Sequence, residues 1–247
     1  MKKCLSILTV VLIGIFLLML CTFLIINGGV NTKFIAHRGF GGFDNSLSNF
    51  ENSKKFYGIE CDVRLTNDGK FVVSHDKIIE TTTGIVDISQ TNFENLIEMT
   101  LKNGKQLCSF KDYLECCKKL KKLAMIELKD ELNQNSLSNL VNEIDLYYNR
   151  TNCVIISFIS SNLLKLKENY NFVMCLLFDD NIEQSVNFCI KNNIHASIGY
   201  KNINKSIVSN LHKNNLKVCA WTVNSKIDIK RLKMCDVDYI VSDKYCN

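Results

Sequence analysis

The sequence predicts an α/β fold, a (β/α)8 or TIM barrel, and three observations lead to it. Beyond residue 32, short β-branched runs alternate with longer stretches of helical period, which is the pattern of a parallel sheet with crossover helices. The strand-like runs number eight. Each is separated from the next by a segment long enough for a helix, and eight such units in about 215 residues suit a small barrel.

A doubly wound open sheet is the alternative fold for the same alternation. Its phosphate-binding loop needs glycines at a fixed spacing directly after the first strand. Arg38–Gly42 is rich in glycine but lacks that spacing, so we interpret it as an ordinary loop and favour the closed barrel.

The composition is that of one ordinary globular domain. The chain has 247 residues, of which 47% are hydrophobic and 22% charged, and it contains no proline. These values exclude collagen-like, disordered and disulfide-knot classes, and no stretch marks a tether between domains. The net charge of +5 is weak and dispersed, which argues against nucleic acid as a partner.

The N-terminal segment is expected to hold the protein on a membrane. Residues 5–26 contain no charged side chain and follow two lysines. A helix of about 20 apolar residues spans a bilayer core of about 30 Å, so we expect residues 1–32 to be an uncleaved, single-pass membrane anchor. Two alternatives stay open: a cleaved signal peptide, for which residues 25–29 make a poor cleavage site, and a lipid-modified Cys21.

The charges that flank this run predict its orientation. Lys2, Lys3 and the amino terminus lie on one side, against Lys33 and Arg38 on the other. This small bias favours a cytoplasmic N-terminus. The domain of residues 33–247 is therefore expected outside the cytoplasm.

Cysteine is unusually frequent for an exported domain, with 12 residues. Cys61, Cys153, Cys175 and Cys219 lie inside apolar strand-like runs, where a thiol acts as a small hydrophobic group. We expect buried free thiols, and the spacing defines no pairing.

The predicted barrel strands, in chain order, are Phe34–His37, Gly58–Val63, Leu123–Leu128, Cys153–Ser157, Phe172–Phe178, Ile194–Ile198, Lys217–Val223 and Tyr239–Val241. A further run, Phe71–Asp76, follows the second strand too closely for a helix and predicts an extra β-hairpin with its turn at residues 67–70. In the register expected for that turn, Asp62 faces His75 at the carboxyl-terminal mouth of the barrel, where barrel enzymes keep their active sites. The short stretch between His75 and Glu127 predicts little insertion over that mouth.

Acidic side chains at two strand ends predict a metal site. Glu60 and Asp62 are two residues apart on one strand, so both carboxylates point to the same face. Glu127 ends the next barrel strand and is the natural third ligand. Adjacent carboxylates repel one another when both are ionised, and a site of carboxylate oxygens suits a hard cation such as Ca²⁺ or Mg²⁺.

Basic and titratable side chains accompany these acids at the predicted mouth. His37 and Arg38 end the first strand, and Lys129 lies two residues beyond Glu127 on the same face. A histidine can give or take a proton near neutral pH, and an arginine matches two phosphate oxygens. The combination predicts metal-assisted phosphoryl chemistry.

The order of these motifs resembles one known family. The chain contains Phe34–Gly39 with its His-Arg pair, Gly58–Val63 with Glu-x-Asp, and Val72–Asp76 with His-Asp, followed by a set of later strand ends. That later set comprises Ile126–Lys129, Ile156–Phe158, Ala220–Asn224 and Asp238–Asp243. Over nearly all of residues 33–247 this pattern is similar to the glycerophosphodiester phosphodiesterase family.

The resemblance implies a barrel with a divalent metal, Ca²⁺ or Mg²⁺, and a histidine acid–base pair. The residues it assigns are the metal ligands Glu60, Asp62 and Glu127, the catalytic His37 and His75, and the substrate-binding Arg38, Lys129 and Trp221. It implies hydrolysis of a glycerophosphodiester to sn-glycerol 3-phosphate and an alcohol. Which histidine is the acid and which the base stays open.

One position departs from the family pattern. Where relatives usually have Pro-Glu-Asn-Thr, this chain has Phe43-Asp44-Asn45-Ser46. Asp44 is one methylene shorter than glutamate, so it is a candidate ligand that falls short of the metal, or a residue near the start of a helix capped by Asn45 or Ser46. His195 and His212 have no partner motif and are expected to be structural.

Three other functions stay open. An anchor that held the mouth near lipid would suit a lysophospholipid substrate, as in a lysophospholipase D, or a membrane-attached polyglycerolphosphate. A second alternative is a barrel that binds phosphodiesters without cleaving them, although such a protein would need no acid–base pair. An unrelated barrel phosphohydrolase would cleave monoesters instead.

Overall fold

Parallel strands close into a barrel in the computed structural model, which describes Ile13 and residues 31–245. In chain order the strands are β1 (Lys33–Ala36), β2 (Gly58–Leu65), β3 (Phe71–Val73), β4 (Ile78–Thr81), β5 (Gly84–Asp87), β6 (Cys108–Ser109), β7 (Leu123–Leu128), β8 (Cys153–Ser157), β9 (Val173–Phe178), β10 (His195–Gly199), β11 (Val218–Trp221) and β12 (Tyr239–Ser242). The barrel consists of β1, β2 and β7 to β12, and these are the eight strands that the sequence predicts.

The hydrogen-bonding order shows that the sheet is closed. Neighbouring strands follow the order β1-β12-β11-β10-β9-β8-β7-β2, and β1 also pairs with β2. Closure excludes the open doubly wound sheet. The ends of the observed strands differ from the predicted ones by at most two residues, which is the usual uncertainty at element boundaries.

Helices cover the outside of the barrel. In the described part of the chain they are α1 (Leu47–Asn52), α2 (Phe93–Glu98), α3 (Phe110–Leu120), α4 (Gln134–Tyr147), α5 (Ser160–Asn169), α6 (Ile182–Asn192), α7 (Lys205–Lys213) and α8 (Lys226–Met234). All except α2 connect successive barrel strands. Serine or asparagine starts several of them: Ser46, Ser109 and Asn133 each accept a hydrogen bond from a first-turn backbone N–H.

The strands bury two apolar layers because their side chains alternate. Inside the barrel, Ile35, Met125, Ile156 and Leu177 belong to one buried cluster, and a larger cluster fills the space between strands and helices. The nine cysteines that the structure describes have free thiols, and all but Cys235 are buried. The prediction of buried free thiols is confirmed for the eight described cysteines other than Cys235.

The extra hairpin is present, but the predicted register is wrong. Strand β3 pairs with β2 so that Val73 faces Val63, one residue away from the expected alignment. The cause is a longer turn, since the N–H of Thr66 donates to the carbonyl of Lys70 across a five-residue loop. His75 is therefore not opposite Asp62.

The prediction of little insertion is also wrong. Residues 78–109 form the antiparallel pair β4–β5, the short helix α2 and strand β6, which pairs with β3. Val72, Ile79, Ile88, Leu96 and Leu101 give this insertion its own small core. Its elements are only two to six residues long, which is too short for a clear hydrophobic period in the sequence.

The predicted membrane anchor lies outside the described residues, apart from Ile13. A compact unit begins at Thr32 and contains the whole barrel. Within the described part of the chain, no helix has the length and hydropathy needed to cross a membrane.

Candidate active site

Three carboxylates converge at the carboxyl ends of β2 and β7. Asp62 and Glu127 face each other in the parallel register, and Glu60 lies two residues before Asp62 on the same inner face. One oxygen from each of the three residues lies within 4.8 Å of the others. Glu60 and Asp62 are 2% and 1% exposed. The structure therefore brings together the predicted metal ligands.

Burial and mutual repulsion shift the pKa values of these acids in different directions. Burial, with the charge of Asp62 next to it, raises the pKa of Glu60 to about 8. Burial and Asp62 also raise the pKa of Glu127. Burial opposes ionisation of Asp62 as well, but its cationic and hydrogen-bonding neighbours outweigh it and lower the pKa. The cluster lacks enough positive charge to ionise fully at neutral pH.

Fixed donors hold the carboxylates in place. The backbone N–H of Arg38 donates to Glu60 Oε2 at 2.8 Å. Asn45 Nδ2 donates to Asp62 Oδ2 at 2.8 Å, and the N–H of Asp62 donates back to Asn45 Oδ1 at 3.2 Å. Lys129 Nζ lies 2.8 Å from Glu127 Oε1. Each of the three acids is therefore held by a different residue: Glu60 by Arg38, Asp62 by Asn45 and Glu127 by Lys129.

The donor set fits a hard divalent cation. It offers three carboxylate groups and no thiol or imidazole, which is the chemistry that Ca²⁺ and Mg²⁺ prefer. The raised pKa of Glu60 also fits a metal site, because a cation bound beside this carboxyl group would favour its ionised form. Glu60, Asp62 and Glu127 would hold such an ion.

Arg38 lies at the edge of this cluster in a constrained backbone. Its φ is 52°, and Gly39 follows with a φ of 81° and with space for no side chain, since a Cβ would lie 2.7 Å from that of Asn49. Arg38 Nε is 3.2 Å from Asp62 Oδ2, but its N–H does not point at that oxygen. This buried N–H has no hydrogen-bond partner among the described residues, so it is available to an anionic ligand.

Asp44 is near the site but outside the ligand cluster. Its side chain is 62% exposed and its Oδ2 lies 3.6 Å from Arg38 Nη1. The next two residues have different contacts: Asn45 donates a hydrogen bond to Asp62, and Ser46 caps the N-terminus of α1. Asp44 therefore faces the guanidinium of Arg38 at the mouth.

His37 is oriented by an acid from the last barrel strand. His37 Nδ1 lies 2.6 Å from Asp243 Oδ1, and Asn224 Nδ2 donates to the other carboxylate oxygen at 2.5 Å. Burial acts to lower the pKa of His37, but Asp243 and the charge of Glu60 raise it above its usual value. With Nδ1 held by Asp243, Nε2 is left for proton transfer.

His75 lies at the same mouth and is more exposed, with 40% of its side chain accessible. Its Nδ1 is 2.8 Å from Asp76 Oδ1. Its carbonyl accepts two hydrogen bonds from Arg64, from Nε at 3.1 Å and Nη2 at 2.7 Å. Arg64 Nη1 also donates to Asp130 at 2.6 Å. Arg64 thus ties the backbone of His75 to the end of β7.

Trp221 combines packing with a position at the mouth. Its indole N–H donates to the carbonyl of Ser197 at 3.0 Å, and its ring contacts that of Phe158 edge to face, with the ring centroids 5.4 Å apart.

His195 and His212 lie at the opposite end of the barrel. His195 Nδ1 accepts from the N–H of Lys217, and His212 bonds to an aspartate, as expected for structural histidines.

The insertion borders the site. A groove of about 720 Å³ is lined both by Arg38, Asp44 and His75 and by insertion residues such as Ile78 and Lys102. Part of the route to Arg38 and His75 therefore depends on a segment in which the sequence predicted little insertion.

Several residues around the site were missed at the level of sequence. They are Asn45, Arg64, Asp130, Asn224 and Asp243. Asp243 ends the last strand, and its position one barrel strand from His37 follows once closure of the barrel is assumed. No sequence pattern predicts the contact between Arg64 and Asp130, because the two residues are 66 positions apart in the chain.

Three buried carboxylates, two histidines and an arginine at the mouth of a closed barrel are the groups that cleavage of a phosphate diester requires. Fold and site thus define a barrel enzyme of the phosphodiesterase class. The model of the glycerophosphoryl diester phosphodiesterase family matches residues 37–245. The chain belongs to this family, and it is a phosphoric diester hydrolase.

Relatives match over most of their length. The glycerophosphodiester phosphodiesterase of Bacillus altitudinis is 28% identical over 243 residues, covering 86% of this chain and 94% of the relative. That of Caldanaerobacter subterraneus subsp. tengcongensis is 26% identical over 230 residues, covering 87% and 95%. A phosphodiesterase of Oleispira antarctica, solved with the product sn-glycerol-3-phosphate, has a TM-score of 0.76 at 19% identity and covers 85% and 92%, which supports the fold.

Proposed function

We propose that the protein hydrolyses glycerophosphodiesters to sn-glycerol 3-phosphate and an alcohol, with Ca²⁺ or Mg²⁺ held by Glu60, Asp62 and Glu127. The observation that carries this proposal is the convergence of those buried carboxylates within 4.8 Å, with His37 and His75 at the same mouth. Family membership supports the reaction type. The Oleispira antarctica structure supports the product, because that phosphodiesterase was solved in complex with sn-glycerol-3-phosphate.

The reaction needs two proton transfers. A P–O bond to the alcohol breaks and a P–O bond to water or to the substrate's own 2-hydroxyl forms, so one proton leaves the nucleophile and one reaches the leaving alkoxide. His37 and His75 each have Nδ1 bound to an aspartate and Nε2 free for this transfer. A bound divalent cation would supply Lewis-acid polarisation of a phosphoryl oxygen and make the attacking hydroxyl more acidic.

Arg38 and Lys129 offset negative charge at the phosphoryl group. Arg38 has a buried N–H without a partner, and Lys129 lies 3.6 Å from Asp62 at the rim of the cluster. Both side chains are only 22% and 14% exposed, so their charges act in a medium of reduced dielectric constant.

Release of sn-glycerol 3-phosphate from a panel of glycerophosphodiesters tests the proposal. We expect the full-length protein to be active, chelator to abolish the activity, and added Ca²⁺ or Mg²⁺ to restore it. His37→Ala should be inactive, whereas His212→Ala at the other end of the barrel should keep most of the rate. A phosphodiester-binding barrel without turnover would bind the diesters and release nothing, and preferential cleavage of monoesters would also refute the proposal.

We also propose that residues 5–26 attach the protein to a membrane and that the barrel lies outside the cytoplasm. The uncharged apolar run and the lysines before it support this. Retention in the membrane fraction after alkaline carbonate washing, with digestion of the barrel by protease added to intact cells, is the expected result. Digestion only after lysis would contradict the orientation.

A further inference from the structure

The two ends of the barrel carry opposite charge. We call the end at which the strands begin the basal face, defined by the segments that lead into the barrel strands: 31–33, 53–58, 121–123, 148–153, 170–173, 193–195, 214–218 and 235–239. These segments contain seven lysines and arginines, namely Lys33, Lys54, Lys55, Lys121, Lys122, Arg150 and Lys217. They contain two acids, Asp236 and Asp238. The basal face is therefore basic.

The two basal acids do not neutralise these lysines. Asp236 forms an ion pair with Lys205 of α7. Asp238 bonds to His212 at 2.9 Å and accepts the N–H of Val218 at 2.8 Å. Both carboxylates thus have partners outside the set of seven basic residues. Within that set Arg150 forms an ion pair with Asp145 in the last turn of α4, so six of the seven remain without an acidic side chain in an ion pair among the described residues.

The mouth has the opposite balance. The strand ends and the loops from strand to helix, leaving aside the insertion, contain nine acids: Asp44, Glu60, Asp62, Glu127, Asp130, Glu131, Asp179, Asp180 and Asp243. The basic residues there are five, Arg38, Arg64, Lys129, Lys201 and Lys244. The insertion, residues 78–109, adds four acids and two lysines. An anionic surface would therefore repel the mouth and attract the basal face.

The basal face also has aromatic side chains and a cavity suited to anionic headgroups. Tyr57 is 47% exposed, with Lys33 Nζ 5.5 Å above its ring and the Tyr239 ring at 6.3 Å. A cavity of about 720 Å³ on this face is lined by Tyr57, Lys118, Lys121, Lys122, Leu123, Tyr148, Asn149 and Asn152. Tyrosine and lysine together are typical of surfaces that contact the headgroup region of a bilayer.

Exposed apolar side chains occur at both ends. Leu146, Val173 and Met234 lie near the basal face, and Phe43, Leu47, Ile78, Ile85, Phe158 and Ile227 lie near the mouth or on the insertion. Charge has opposite sign at the two ends, so charge decides which end an anionic bilayer attracts.

Strand β1 begins at Lys33, so the chain enters the barrel at the basal face. The polypeptide therefore joins the barrel at the end opposite the candidate catalytic groups.

We propose that the basal face lies on the anionic surface of the membrane that holds the anchor, with the catalytic mouth directed away from it. A consequence, which rests on the proposed function, is that the substrates are water-soluble glycerophosphodiesters. Lysophospholipids of the same bilayer cannot reach His37 and His75 from the opposite end of the barrel. The orientation therefore counts against the lysophospholipase D alternative.

Tryptophan fluorescence tests the orientation directly, because Trp221 at the mouth is the chain's single tryptophan. The full-length protein is placed in vesicles of phosphatidylcholine, with or without an equal part of phosphatidylglycerol, that carry a spin label on a lipid headgroup. We expect no quenching of Trp221 by the label. A basal probe, Tyr57→Trp combined with Trp221→Phe, should be quenched at least twofold in the anionic vesicles.

Charge variants separate docking from simple tethering. Quenching of the basal probe should be lost with Lys54→Gln, Lys55→Gln and Lys121→Gln together, and at about 1 M salt, where the Debye length falls to about 3 Å. The three Lys→Arg replacements should retain it, as should the control set Lys105→Gln, Lys201→Gln and Lys226→Gln. Quenching of Trp221, or an unquenched basal probe in anionic vesicles, would overturn the proposal.

Rates distinguish a failed orientation from a failed function. We expect a soluble diester to be hydrolysed at least tenfold faster than a lysophospholipid in the same vesicles. Equal rates would contradict the orientation. Hydrolysis of neither substrate would contradict the proposed function, and the quenching experiment would still decide the orientation by itself.

Discussion

Asp243→Asn is the substitution that tests most directly how the site controls its histidine. In the structure Asp243 Oδ1 lies 2.6 Å from His37 Nδ1, while Asn224 holds the other oxygen. The substitution keeps the size of the side chain but removes its charge. It also allows an amide N–H to face Nδ1, which would favour the wrong tautomer of the neutral imidazole.

The expected size of the effect follows from the geometry. A charge-assisted hydrogen bond contributes about 1.5–3 kcal/mol, and because Asp243 is 48% exposed we take the lower end of that range. Loss of this bond therefore lowers the pKa of His37. The charge of Glu60 also raises this pKa and Arg38 lowers it, and neither is altered.

The assay is the pH profile of kcat/KM for release of sn-glycerol 3-phosphate. The limb governed by His37 should move to lower pH, whether its neutral or its protonated form is active, and kcat should fall about 10- to 100-fold. Asp180→Asn, an exposed acid at the same mouth, should change neither. A variant with full activity and an unmoved limb would refute the conclusion that Asp243 sets the state of His37.

The remaining predictions address metal, positioning and stability. Ca²⁺ or Mg²⁺ at about 100 times its Kd should stabilise the wild-type protein by about 2.7 kcal/mol in thermal melts with and without chelator, and Asp62→Asn should abolish this gain; an equal gain in the variant would rule out the carboxylate site. Arg64→Lys cannot keep both bonds to the His75 carbonyl, so kcat should fall about tenfold with little change in KM; a loss seen only in KM would speak against a positioning role. Burial raises the pKa of Glu143 to about 7, above its ordinary value, so stability is lost as pH rises from about 4.5 to about 7. Glu143→Gln should raise stability at pH 8 by about 1–3 kcal/mol and leave it unchanged at pH 4, and equal melting curves at pH 8 would contradict this burial effect.

Sequence patterns were sufficient to predict the positions of residues where a feature repeats along the chain or joins neighbouring strands. Period-two alternation placed Glu60 and Asp62 on one face, and the barrel order put Glu127 beside them, as the register shows. The closed barrel then brings His37 and His75 to one end. None of this required knowledge of side-chain contacts, because strand direction alone decides at which end a residue lies.

Local geometry was predicted less well. The hairpin register failed by one residue because the turn contains five residues and not four, and a change of one residue exchanges the faces of a strand. The insertion escaped prediction because its strands are short and gain stability from a core shared among separate segments. Short elements depend on tertiary packing more than on their own pattern.

The sequence by itself determined the barrel, the acids of the candidate metal site, the family and the expectation of a membrane anchor, because each depends on regular spacing or on a long apolar run. Only the tertiary structure revealed the contact of Asp243 with His37, the Arg64 bridge to Asp130 and the separation of charge between the two ends. These features join residues that are far apart in the chain. They depend on which loops become neighbours when the barrel closes, and no local sequence pattern predicts those contacts.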